Sequence, residues 1–458
     1  MSTEKKYDLT EGNVLGKLVK LSLPTIGTQL VQMAYSFADM FWLGRLSSGA
    51  VAASGTVAVF MWLSMSLQAF GGNGAEIGVS QSLGRGEPDA ARGYLQSSMS
   101  SSLLLGVLCG AFYLLARHPL IGLFNISEVD VRQNSVIYLS IIALALPFNY
   151  VNAVAVSAFN ASGNSAAPFY VNLVCMVLNV VLDPLLIFGL KLGVAGAAAA
   201  TALCQATACV LMLISLRRYK HPVFVGMKLW RLPRREHLRP ILRWGAPVAF
   251  NSFFFTFFVI IVSRFVASFG AGAMAVQRLG SQVDQFSYLV SSGFASALTA
   301  YIGQNYGAMR LDRIRRGFTL SSVIMGVWGL LATLNLVFFN RFFFRLFVPG
   351  EPEIIEMGAR YLHILALCQL VACLEGVGTS VFRGYGKTLP PSVVSMATHV
   401  IRVVLAWTLS RGALEQNGIW WAMAISAFLR GAGAYIISLP YVYGRRAKAR
   451  EKKFSEPY

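Results

Sequence analysis

Besides a longer run at 133–182, seven stretches of this chain run for eighteen residues or more without a charged side chain: residues 21–38, 46–75, 93–116, 192–216, 244–263, 285–309 and 317–340. An apolar run of ~18 residues or more can cross the ~30 Å hydrocarbon layer as a helix, where backbone groups must bond within their own segment. Runs of this length commit the chain to the membrane. The composition agrees, because 55% of residues are hydrophobic and only 13% charged, whereas soluble globular proteins carry about a quarter charged.

The uncharged run from Gln133 to Leu182 is long enough for two helices and contains "NASGNSAAP", in which Gly163 and Pro168 break the pattern. Three further segments, near 357–381, 389–410 and 418–443, carry Glu375, Arg402 and Arg430 respectively. The expectation is an all-α integral membrane protein of twelve transmembrane helices. With both termini in the cytoplasm, 27 of the 39 basic residues fall on the cytoplasmic side and 8 outside, as the positive-inside rule requires. The net charge of +19 is therefore mostly membrane topology. That excludes a nucleic-acid partner for the basic run from Arg217 to Arg243 and makes it a connector flanking anionic lipid. The N-terminus mixes charge signs and shows no secretory signal. The six cysteines lie in apolar segments without metal or redox spacing, and the five histidines are scattered; all are assigned to packing, with no metal beyond a Na+ ion and no cofactor.

The two halves align on one another at an offset of 223 residues. Pro24 matches Pro247, Gly49 and Ala50 match Gly272 and Ala273, and Gln81, Gly84 and Asp89 match Gln304, Gly307 and Asp312. "YLSIIALAL" (138–146) matches "YLHILALCQ" (361–369), and Phe159, Gly163 and Pro168 match Phe382, Gly386 and Pro391. Six spans per repeat is an even number, so the repeats enter the membrane in the same sense. The expected organisation is an N-lobe at residues 1–216, a basic cytoplasmic connector at 217–240, and a C-lobe at 241–458 ending in a basic cytoplasmic tail. Lobes of this kind rock about a central cavity, the geometry of alternating access.

Five carboxylates sit inside the expected spans: Asp39, Glu76, Asp183, Asp284 and Glu375. An ionised acid facing lipid costs ~3 kcal/mol, so these acids face the interior, are paired, or are protonated, and they mark ion or substrate paths. Asn179 and Asp183 are four residues apart on one helical face, where an amide oxygen and a carboxylate can share a small cation or proton. Pro184 follows and leaves the carbonyl of residue 180 free. Asp39 lies in the outward half of the first span, where Pro24 offers a hinge. Glu76 is expected to snorkel to water from the cytoplasmic end of span 2. Asp284 follows Arg278 at i+6 amid Gln277, Gln282 and Gln285, which fits an internal salt bridge or a substrate contact. The "FNSFFFTFFV" run (250–259) reads as lipid-facing phenylalanine. "RGYGKT" (383–388) fails as a phosphate loop because Val381 replaces the required glycine. No catalytic constellation is visible, and an enzyme is not expected.

Four stretches, "LSLPTIGTQLVQMAYSFADMFWLGRLSSGAVAA", "NVVLDPLLIFGLKLGVAGAAAAT", "GQNYGAMRLDRIRR" and "VFRGYGKT", in this order within a doubled chain, resemble the multidrug and toxic compound extrusion family. The resemblance implies that family's fold, two six-helix lobes related by a parallel repeat. It also implies a monomeric cation-coupled antiporter of the bacterial cytoplasmic membrane, exporting organic, cationic compounds in exchange for H+ or Na+. In the prokaryotic branch similar to the DNA-damage-inducible F proteins, a first-span aspartate, a fifth-span Asn-x-x-x-Asp pair and a sixth-span threonine form the coupling site. Asp39, Asn179, Asp183 and Thr201 match them. The branch's fourth-span asparagine falls near Val156 and Ser157, with Asn152 a turn earlier, and Asn160 stands where the family has arginine. Asp284 is similar to an acidic position in span 8 of some members and, with Glu375, Asn152 and Gln282, forms the set for substrate contact or secondary coupling. The rival readings are a lipid-linked sugar flippase of the same superfamily, for which Arg264, Arg278, Arg402 and Arg430 speak, and a passive channel or membrane enzyme.

Overall fold

The structure, a computed structural model, describes residues 8–219, 221–227 and 233–444. The basic C-terminal tail and part of the connector lie outside the described residues. Thirteen α-helices and no strand occur among them. They are α1 (Val14–Leu46), α2 (Ser48–Gly84), α3 (Pro88–Gly122), α4 (Val129–Ala161), α5 (Ala166–Pro184), α6 (Val194–Arg218) and α7 (Arg235–Ala267). The chain continues as α8 (Ala271–Gly307), α9 (Leu311–Phe338), the short α10 (Asn340–Phe347), α11 (Pro352–Gly384), α12 (Leu389–Leu409) and α13 (Glu415–Val442). Leaving out α10, the helices are the twelve spans expected. Ten of them are long and apolar enough to cross a membrane. The other two are α1, which carries Lys17, Lys20, Asp39 and Arg45, and α8, which carries Arg278 and Asp284.

Local signals place the helix ends. Asn13 Oδ1 accepts the Leu15 amide at 2.9 Å to start α1, and Ser47 Oγ accepts the Ala50 amide at 3.0 Å to start α2, each satisfying an otherwise orphaned N-terminal donor. The duplication extends to individual hydrogen bonds. At the end of α2, the amides of Arg85, Gly86 and Glu87 bond the carbonyls of Gln81, Leu83 and Ser82; at the end of α8, those of Ala308, Met309 and Arg310 bond Gln304, Tyr306 and Asn305. Every residue of the second set lies 223 positions beyond its partner in the first. The shared turn needs a left-handed residue, which Gly86 adopts at φ +74° and Met309 at φ +58°, the latter against the steric cost that glycine avoids.

Two compact units emerge, one built mainly from Lys20–Ala249 and the other from Gly12–Val19 and the chain from Phe250 on. In the first, α4 is the central helix, packed against α2, α3 and α6; in the second, α11 takes that place against α8, α9 and α13. Small residues permit these approaches. A Cβ on Gly106 would meet Pro147 Cα at 2.8 Å, and one on Gly329, its repeat equivalent, would meet Leu370 Cα at 2.7 Å.

Glu76 corrects its expectation. It does not snorkel: it is 7% exposed, in a stretch of α2 where Gly74 and Gly78 admit Ile241 and Tyr94 at close quarters.

Candidate ion-coupling site

α5 supplies two of the site's side chains. Asn179 and Asp183 lie one turn apart, both fully buried, and Asn179 Nδ2 donates to Asp183 Oδ1 at 3.1 Å. Because Pro184 has no N–H, the helix cannot continue regularly past the aspartate. It widens into a π-helical turn at Leu185–Gly189, closed by the Leu190 amide on the Leu185 carbonyl at 2.8 Å. Single π turns of this kind frequently accompany functional sites.

The other members come from α1, α4 and α6. Asp39 on α1 lies within electrostatic reach of Asp183 and faces the Tyr138 hydroxyl of α4. Tyr35, one turn before Asp39, faces Thr201 on α6, as does Tyr138. Asp39, Asn179, Asp183 and Thr201 are thus brought together. Tyr35 and Tyr138 were missed from sequence, although each left a signal: Tyr35 is at i−4 from Asp39, and Tyr138 recurs as Tyr361 in the second repeat.

Tyr35 Oη, Asp39 Oδ1, Asn179 Oδ1, Asp183 Oδ2 and Thr201 Oγ1 are buried without a hydrogen-bond partner among the described residues. A buried polar atom left unmet costs ~1–3 kcal/mol, and native interiors hold few of them. Here five oxygens share one neighbourhood. Neither carboxylate has a Lys, Arg or His ion-pair partner among the described residues. Two acids with amide, phenol and hydroxyl oxygens form a hard donor set for a proton or a small monovalent cation.

The remaining expected residues lie elsewhere. Asn152 is also on α4 and has an unmet Oδ1, but it is fourteen residues beyond Tyr138, ~21 Å along the helix, and no contact ties it to the cluster. Pro24 sits inside α1, which runs through it as one helix, with Thr28 Oγ1 donating to the Pro24 carbonyl at 3.0 Å. Gln282 is half-buried on α8.

In the second unit the acids have cationic company. Arg430 Nε bonds Glu375 Oε2 at 2.9 Å, with both side chains mostly buried. Asp284 accepts a hydrogen bond from Gln369 and feels Arg430 and Arg402. Arg402 Nε donates to Ser426 Oγ at 2.7 Å. The salt bridge considered between Arg278 and Asp284 does not form: Arg278 is exposed, and its place on the helix, six residues before Asp284, turns it to a different face.

The doubled twelve-span fold defines a membrane transport protein of the parallel-repeat class. The sequence profile of the MatE family matches this chain twice, at residues 24–185 and 247–408, and the chain belongs to that family of transporters. The two matched segments are themselves 223 residues apart. A "Probable multidrug resistance protein NorM" of Thermotoga maritima is 26% identical over 451 residues, covering 96% of this chain and 95% of the relative. The "Multidrug export protein MepA" of Staphylococcus aureus is 24% identical, with 95% and 96% covered. Among solved structures, the "Outward-facing conformation of a multidrug resistance MATE family transporter of the MOP superfamily" superposes with a TM-score of 0.90 at 21% identity, covering 98% and 99%. That likeness concerns the fold.

Proposed function

We propose that this chain is a secondary active antiporter that exports organic, cationic compounds across a bacterial cytoplasmic membrane in exchange for H+ or Na+. Both termini are cytoplasmic, and the monomer is the working unit. The observation that carries the reading is the pair of carboxylates, fully buried Asp183 and half-buried Asp39, with no basic partner among the described residues and with unmet oxygens around them. The multidrug names of relatives along the whole chain support the cargo class.

An ion drives export only if it binds two conformations with different affinity. Binding at Asp39 and Asp183 links α1 to α5, so ion uptake stabilises whichever arrangement holds these helices together. Release lets α1 move, with Pro24 as its weak point because the proline removes one backbone hydrogen bond. Asp284 and Gln282 on α8 would meet the substrate. In the second unit the pairing of Glu375 with Arg430 offsets one acid with one base, which argues against Glu375 as the coupling group. The flippase reading needs an uncompensated cationic surface, and it is weakened because Arg430 is paired with Glu375.

The test uses everted membrane vesicles under an imposed pH or Na+ gradient, comparing the wild-type protein with Asp39→Asn and Asp183→Asn. Gradient-driven accumulation should be lost in both variants, and the gradient that drives the wild type identifies the ion. Equal transport by all three would remove these residues from coupling.

A further inference from the structure

Three arginines open α7 at a regular spacing. Arg235, Arg239 and Arg243 lie four residues apart, so their guanidinium groups fall within ~80° of one helix face. All three are exposed, and none has an ion pair or hydrogen bond among the described residues. Glu236, the acid in this turn, is engaged by Arg234 Nη1 at 3.3 Å and lies 3.6 Å from His237 Nδ1. Like charges at i,i+4 repel, and the positive end of the helix dipole adds potential of the same sign. The stripe is therefore costly as it stands.

It also borders a concave site. The three arginines, with Glu236, Pro240 and Trp244, line a cavity of about 640 Å³. The Trp244 ring is 5.6 Å from Tyr94, which in turn meets the His237 ring at 4.7 Å. Tryptophan and tyrosine favour the headgroup level of a bilayer, and beyond Trp244 the helix carries no charge until Arg264. Guanidinium forks over an aromatic and apolar floor, at the membrane boundary, match the phosphate and upper acyl chain of a lipid.

We propose that this stripe is a binding site for the phosphate headgroup of an anionic phospholipid, with Trp244 against the acyl side. A topology signal alone requires the number of positive charges, not their alignment over a cavity. The proposal is independent of the ion-coupling site, which lies on other helices.

The test titrates the purified full-length protein in neutral detergent with phosphatidylglycerol, phosphatidylcholine or sodium phosphate and follows the unfolding midpoint. Phosphatidylglycerol should raise the midpoint saturably and less at high salt, and the other two should not. Each of Arg235→Gln, Arg239→Gln and Arg243→Gln should weaken the apparent phosphatidylglycerol affinity about five-fold, and the triple variant on the order of 100-fold. The triple lysine variant should retain most of it. Should the triple glutamine variant fail to insert, the single variants decide. Unchanged affinity in the glutamine variants, or equal stabilisation by sodium phosphate at the same concentration, overturns the proposal.

Discussion

Asp183→Asn separates the two roles of a buried acid. The substitution keeps the shape of the side chain and its contact with Asn179 (3.1 Å), and it removes the charge. A cation seated ~4 Å from a carboxylate gains ~4 kcal/mol at an effective dielectric of ~20, so losing that carboxylate should weaken ion binding on the order of 1000-fold. The ion-free protein should respond in the opposite direction. An unpaired ionised acid inside the bilayer costs ~2.5–3.5 kcal/mol, and no basic group among the described residues offsets this one, so the asparagine variant should be more stable by up to ~3 kcal/mol in ion-free buffer. Asp39→Asn should behave alike. The double variant should gain less than the sum, because each removal also relieves the repulsion felt by the other. Thermal unfolding across a Na+ series and a pH series, in parallel with vesicle transport, reads all of these effects. A variant that is less stable than the wild type and still shows the full ion-dependent shift would refute the reasoning.

Glu375→Gln strands Arg430 without its partner inside the membrane and should cost about 3 kcal/mol in unfolding stability, while transport by whatever protein folds keeps its ion dependence; loss of that dependence would place Glu375 in coupling. Gly106→Ala and Gly329→Ala each drive a methyl group into neighbouring backbone at 2.8 and 2.7 Å, and each should destabilise by ~1–3 kcal/mol in chemical denaturation. Burial lowers His221 from 6.5 to about 4, in the turn after α6 where its ring stacks on Tyr219 at 5.8 Å. The unfolded chain therefore binds a proton in this window that the folded one refuses. The stability contribution should be complete above pH ~6.5 and fall as pH drops toward 4, by roughly 3 kcal/mol at most, and His221→Gln should flatten that part of the pH–stability profile.

Much of the candidate site was legible because its most informative pair lies on one helix. Asn179 and Asp183 are neighbours by helical geometry alone, so spacing was enough to place them on one face. The Tyr138 contact with Asp39 required knowing that α4 is the central helix of its unit, and no spacing rule supplies that. Glu375 and Arg430 are 55 residues apart, and before α11 and α13 were seen packed together either could have been a lone intramembrane charge. Glu76 misled for the same reason: its position near a helix end was read as access to water, but neighbouring helices close over it through the glycines of α2.

What this sequence determined by itself was the number of spans, the duplication and the set of acids that needs explaining. Those follow from the hydrocarbon layer's length requirement and the cost of charge within it, which act on each segment separately. Only the tertiary structure decided which acids have counterions. Arg430 reaches Glu375 while, among the described residues, nothing basic reaches Asp39 or Asp183, because partnership across helices depends on which faces pack together, and that is a property of the assembled unit rather than of any one span.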